Sequence, residues 1–284
     1  MRSKVAAAIA LSVAMAATTA SAGVIITENV VTSQPGPKGE QTVKGEQTVM
    51  IQGNKRKVVT SDRIFITDLD AGKTFVLIPK SKGLGEIPFP PTGVLLLMSM
   101  RQGTFVGYTK MSGTHKIAGY DCQDYAGTIS IAHQKVDSTE CVASAAAGAQ
   151  EYVAFSKAQA AKLKGTRLEP KGEVPDGIPV SSTVAVSFIP YPIPKNFPPD
   201  LTAKVKESNA KMKPEVTKTT VTKIEAKEIP ADEFVVPAEY KKSGPPVPFK
   251  QGVPGGPNPP IPAPEQPVPP GAMPPSPAAP PSAH

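Results

Sequence analysis

The chain has no tryptophan, only three histidines, only two cysteines, and aromatic residues at 5% of its 284 positions. Each scarcity removes a class of function. Two cysteines and three histidines cannot supply the repeated short ligand pairs of zinc modules. Sparse aromatics that do not interleave with the basic cluster Lys55-Arg56-Lys57 and nearby Arg63 remove the stacking platform of a nucleic-acid groove. GxSxG, HExxH and a phosphate-binding glycine loop are all missing, so the sequence offers no catalytic set and implies no cofactor. Apart from the N-terminal segment, no apolar run approaches the ~20 residues needed to cross a bilayer.

What is present sits first at the two ends. Arg2 and Lys4 precede the uncharged apolar stretch 5–17, and Ala20-Ser21-Ala22 matches a small-x-small cleavage site. Residues 1–22 therefore read as a signal peptide, with the mature chain starting at Gly23 and located in the periplasm or outside the cell. With Arg2 and Lys4 gone, 29 basic residues face 24 acidic ones, a mature charge of +5. At the other end, residues 243–284 hold 17 of the 34 prolines. So little apolar surface and so few amide donors predict a disordered, polyproline-like tail. Its PxxP spacings, those from Pro254, Pro264 and Pro267 among them, are what chance gives in such a composition.

Residues 23–242 are long enough for one domain with a core. Strands are expected at 24–26, 47–52, 55–61, 63–69 and 73–78, with Gly53-Asn54 and Asp70-Ala71-Gly72 as hairpin turns. The duplicated GEQTVK-GEQTVM at 39–50 reads as a soft stretch before the first hairpin, and 83–93, GLGEIPFPPTG, as a loop. Val94, Leu95, Leu96, Leu97 and Met98 form an apolar run, either a buried strand or a short lid. Further strands are expected at 105–110, 114–117, 121–130, 178–189 and 215–229. A helix over 145–164 ends at Gly165, and a short polar helix lies near 201–212. The class is α+β with an antiparallel sheet.

The stretch 113–141 contains both cysteines and His115 and His133. In an oxidising compartment Cys122 and Cys141 are expected to pair, closing a loop of about 20 residues. Reversal at 131–132 would set them opposite each other; Asp137-Ser138 is the better turn sequence, and a bridge from strand to helix entry is the alternative. A metal site would need His115, Cys122, His133 and Cys141 to converge from intervals of 7, 11 and 8 residues, unlike the short pairs of structural zinc sites.

Two stretches carry a family resemblance. Ile117, Gly119, Tyr120, Cys122 and Tyr125 fit I-x-G-Y-x-C-x-x-Y; Ile224, Ile229, Pro230, Phe234, Val236, Pro237 and Tyr240 fit a closing I…I-P-x-x-x-F-x-V-P-x-x-Y pattern. In both, the chain resembles an exported bacterial family, domain of unknown function 4412. The resemblance implies a fold like the periplasmic lipoprotein carriers of the Lol system: a curved antiparallel sheet, an open half-barrel, with one or two helices against it. It implies no established activity. The chain departs from the pattern in lacking a tryptophan near Val142.

These readings converge on an exported cell-envelope protein, non-enzymatic, that holds a lipid, acyl chain or apolar peptide, with Ile64, Phe65, Ile66, Phe75, Leu77 and residues Val94 to Met98 as the ligand wall. An interaction module working on an envelope protein through the Pro-rich tail is the alternative; a metal-binding or thiol-redox role is third. No nucleic-acid partner and no membrane span after signal cleavage are expected.

Overall fold

Alternating apolar and polar residues dominate the chain, and alternation yields strands with two unlike faces. The computed structural model describes residues 22–36, 39–91, 107–131, 134–166, 168–189, 198–211 and 213–242. Residues 1–21 of the expected signal segment, the run Val94 to Met98, His133 and the Pro-rich residues 243–284 lie outside the described residues.

The strands are β1 (Val24–Gly36), β2 (Gly39–Gln52), β3 (Lys55–Val59), β4 (Ile64–Asp68), β5 (Lys73–Ile78), β6 (Gly83–Pro88), β7 (Tyr108–Ile117), β8 (Tyr120–Ile131), β9 (Gln134–Ala143), β10 (Ile178–Phe188), β11 (Glu215–Ala226) and β12 (Lys241–Lys242). Two helices accompany them, α1 (Ala149–Leu163) and α2 (Pro199–Lys211). All twelve strands form one open sheet in the order β12-β6-β5-β4-β3-β2-β1-β11-β10-β9-β8-β7. The pairings are antiparallel except the short parallel β12–β6 ladder. β1 sits in the middle and joins the N-terminal meander to the C-terminal one through β11.

Four local expectations change. The repeat at 39–50 is not a soft stretch: β2 is one strand of 14 residues, because β1 pairs with it along its whole length from Val24↔Ile51 to Gly36↔Gly39. Residues 83–88 of the expected loop are strand β6, which pairs with β5 from Ile78↔Gly83 to Lys73↔Pro88. The turn after β4 takes four residues, since Asp68 pairs with Lys73 and Leu69, fully buried, turns into the core. Asp137-Ser138 is not a turn: Asp137 pairs with Thr128 and the chain reverses between the partners Ile131 and Gln134. Ladder pairing along a half-buried face overrides turn propensity there.

The helix α1 starts four residues later than its periodicity suggests. Gly148 precedes it with φ of 78°, and a Cβ there would sit 2.7 Å from the Val24 side chain. Only glycine lets the chain enter the helix this close to the middle of the sheet. Ala149, Val153, Phe155, Gln159 and Leu163 are its buried residues. Ala149 and Phe155 join Val24, Ile26, Val49, Ile51, Val180 and Val221 of the central strands in one cluster, and Leu163 joins Val136, Val184 and Val186 in another.

The opposite face of β3–β6 is covered by the chain's closing segment. Ile229 and Phe234 pack on Ile66, Leu77 and Leu84, with Val236 and Tyr240 beside them. Ile229 N–H donates to Gln52 Oε1 at 2.7 Å, and Lys57 pairs with Glu233 at 2.6 Å across the same junction.

Candidate functional site

The side of the sheet that carries α1 is concave. β3 and β9 are five inter-strand steps apart in the ladder, about 24 Å if the sheet were flat. Yet Ile51 of β2, Arg56 of β3, Tyr108 of β7 and Glu140 of β9 line one cavity with Tyr152, Phe155, Gln159 and Leu163 of α1. Only a curled sheet brings them together around a helix about 10 Å across. Phe89, just beyond β6, packs against both helix-side clusters, so the two halves of the sheet approach each other.

The remaining wall comes from the segment after α1. Pro170, Val174, Pro175 and Gly177 line the cavity, and the segment is tied to β7 by reciprocal backbone bonds between Tyr108 and Glu173, at 3.0 and 3.3 Å. Gly172 makes this approach feasible, because a Cβ there would lie 2.7 Å from the Tyr108 carbonyl oxygen. At the other end of α1, the Gly53 N–H of the β2–β3 turn donates to Glu151. The free space is about 90 Å³, well below the ~300–1,000 Å³ of sites that enclose a drug-sized ligand. It takes a small head group as it stands; a chain would need α1 to give way.

The polar groups of this interior are unusual for a packed core. Glu140 accepts a hydrogen bond from the Tyr108 O–H, with Ser138 Oγ 3.3 Å from the same hydroxyl. Burial pushes the Glu140 carboxyl up to about 7, Tyr108 pulls it back in part, and the Glu28 charge adds to the rise. Burial and then the neighbouring Glu140 raise both Tyr108 and Tyr152 above the ordinary phenol range. Glu28 is raised by burial, against the opposing pull of its Gln47 hydrogen bond (2.6 Å) and the Arg56 charge. The Arg56 Nε–H is buried with no hydrogen-bond partner. Gln159 is buried on α1. Apolar walls with a few convergent polar groups and displaced titrations are the general pattern of a binding site.

The expected ligand wall is divided by the ladder. Ile64 pairs with Leu77, Ile66 with Phe75 and Phe65 with Val76. Ile64, Ile66, Phe75 and Leu77 thus share the face under the closing segment, while Phe65 points to the other face, since side chains alternate along a strand. Ile64, Ile66 and Leu77 do line a cleft, of about 210 Å³, together with Lys57, Asp232, Glu233, Val235 and Pro237. It lies on the face away from α1. The helix-side groups Arg56, Tyr108, Glu140 and Tyr152 were not singled out from sequence as a site. Nothing but the pairing of distant strands assembles them.

Cys122 and Cys141 form a disulfide between neighbouring strands, with Cα atoms 5.3 Å apart. They are diagonal rather than opposite: Cys141 pairs with Asp124, and Cys122 with His115. His115 Nε2 meets Asp124 Oδ2 at 2.7 Å on the exposed surface. Among the described residues no cluster of three His, Cys, Asp or Glu could hold a metal. The motif residues have packing positions. Ala118-Gly119 make the β7–β8 turn with φ of 51° and 86°, between the partners Ile117 and Tyr120. Ile117, Tyr120, Cys122 and Ile224 pack in the central cluster and Tyr125 in the second. Pro230 and Pro237 bracket Phe234 in the closing segment, where Tyr240 packs on the same cluster and Lys82 stands over its ring.

These features define a class: an open, curved antiparallel sheet with one helix seated on its concave side and a small, mixed-polarity cavity beneath the helix. No family model matches the chain, and no curated protein does. Among solved structures it is similar to a LolA superfamily protein from Nitrosomonas europaea, at 11% identity and TM-score 0.28, over 74% of this chain and 90% of that one. It is also similar to a domain named for outer membrane lipoprotein sorting from Vibrio parahaemolyticus (8%, TM-score 0.28, 75% and 89%). A DUF1329 family protein from Desulfovibrio piger matches at 9%, TM-score 0.31, over 76% and 90%. The architecture rests on the strand ladder itself. No helix among the described residues is long and apolar enough to cross a membrane.

Proposed function

We propose that this is an exported, non-enzymatic cell-envelope protein that binds an amphiphile, such as a lipid or acyl chain, between α1 and the concave face of the sheet. One observation carries the reading: the cavity under α1 joins apolar walls, Ile51, Phe155 and Leu163, to the enclosed polar groups Arg56, Glu140, Tyr108 and Tyr152. A domain whose only task is to be solid gains nothing from these groups, because enclosed polar atoms cost stability unless they are satisfied. The N-terminal segment supports export, and the Cys122–Cys141 disulfide fits an oxidising compartment. Protein purified from its native envelope, extracted with organic solvent and analysed by mass spectrometry, should yield an amphiphile in near-stoichiometric amount. A clean extract, from protein that also takes up no added amphiphile, contradicts the reading.

A further inference from the structure

The cavity holds a cation that, among the described residues, has no ion-pair partner. Arg56 stands on β3 with Ile51 and Thr67 as its ladder neighbours, on the face that carries α1. Its Nε–H is buried and unpartnered, and no ion pair among the described residues includes it. Two carboxylates lie in the same interior, and both are served by neutral donors: Glu28 by the Gln47 amide, Glu140 by the Tyr108 hydroxyl. Glu140 is also held protonated over much of the range below neutral pH, and Glu28, which feels the Arg56 charge, forms no ion pair with it.

We propose that the cavity selects an amphiphile with an anionic oxygen head group, carboxylate or phosphate, and that Arg56 is its anchor. This rests on the amphiphile-binding reading above and names the ligand class. A guanidinium presents a planar fork of N–H donors that matches two oxygens of a carboxylate or phosphate, and charge-assisted bonds of this kind are the strong ones. The free space of about 90 Å³ suits such a head and not a chain. Ile51, Phe155 and Leu163 supply the apolar surface for the first methylenes behind it. A hydroxyl head can accept one hydrogen bond from Arg56 but brings neither the opposing charge nor the second oxygen of the fork, which is the source of the discrimination.

Calorimetric titration of the mature chain with laurate, lauryl phosphate, lauryl alcohol, acetate and inorganic phosphate tests this. Laurate and lauryl phosphate should bind about 30-fold more tightly than the alcohol, the ratio that one charge-assisted contact gives. Acetate and inorganic phosphate should bind far more weakly, which separates an amphiphile head from a free anion. Arg56→Gln should bring both anionic amphiphiles down to the affinity of the alcohol, and Arg56→Lys should keep part of the preference. Equal binding of laurate and alcohol by the wild-type chain overturns the head-group assignment and leaves the amphiphile reading standing. Binding of no amphiphile overturns both. Arg56→Gln that keeps the wild-type preference shows that another group is the anchor. The wild-type comparison stands by itself should a variant not fold.

Discussion

Replacing Glu140 by glutamine tests the electrostatics of the concave interior directly. Burial holds the carboxyl at about 7, against an ordinary value of 4.5. The folded chain therefore keeps a proton there that the unfolded chain has released. Stability then falls as pH rises, with the loss beginning near 4.5 and complete above about 7. At about 1.4 kcal/mol for each step in pKa, the difference amounts to about 3 kcal/mol. Part of the Glu140 surface remains open to solvent, so about 3 kcal/mol is a ceiling. The other groups facing it, Tyr108, Ser138, Glu28, Arg56 and Tyr152, are present in both proteins and largely cancel in the comparison. Glu140→Gln keeps an acceptor for the Tyr108 hydroxyl and removes the titration. Urea unfolding of both proteins from pH 4.5 to 8 should show the variant gaining on the wild type by up to about 3 kcal/mol across that window. Parallel stability curves would refute the reasoning.

Removing the disulfide by Cys122→Ser with Cys141→Ser releases a loop spanning 19 residues of sequence separation, and urea midpoints should fall by the equivalent of about 3 kcal/mol. Gly148→Ala forces a side chain into a residue with φ of 78° and to within 2.7 Å of Val24, so thermal unfolding should report a loss of about 1–3 kcal/mol; no loss contradicts the tight entry to α1. Phe234→Ala empties the anchor of the closing segment and should cost about 3–5 kcal/mol, with faster amide exchange in 229–240.

The sequence made the strands legible and hid their partners. Gly53-Asn54 and the alternation around it marked the β2–β3 hairpin, because turn chemistry and period are local properties. The strand character of GEQTVKGEQTVM was not legible, since β2 there is held by β1 and little else, with Val43 exposed. The β8–β9 reversal escaped for a related reason. Asp137-Ser138 is a turn by propensity, but the ladder from Gln123↔Val142 to Ile131↔Gln134 fixes the register past it. The cavity was less accessible still. Arg56 read as part of the basic cluster with Lys55 and Lys57, and nothing in the sequence marked Glu140. Alternation alone turns Arg56 toward α1 and Lys57 toward Glu233. Joining β3 to β9 takes the central β1–β11 pairing, between segments nearly 200 residues apart, which no local pattern encodes.

Photocrosslinking with a diazirine-bearing fatty acid, followed by peptide mapping, tests amphiphile binding under α1 most directly. Label should fall on the peptides that contain Ile51, Tyr152, Phe155 and Leu163, and excess laurate should compete it away. Label confined to Ile64, Ile66 and Leu77 under the closing segment, or label that laurate does not displace, contradicts the account.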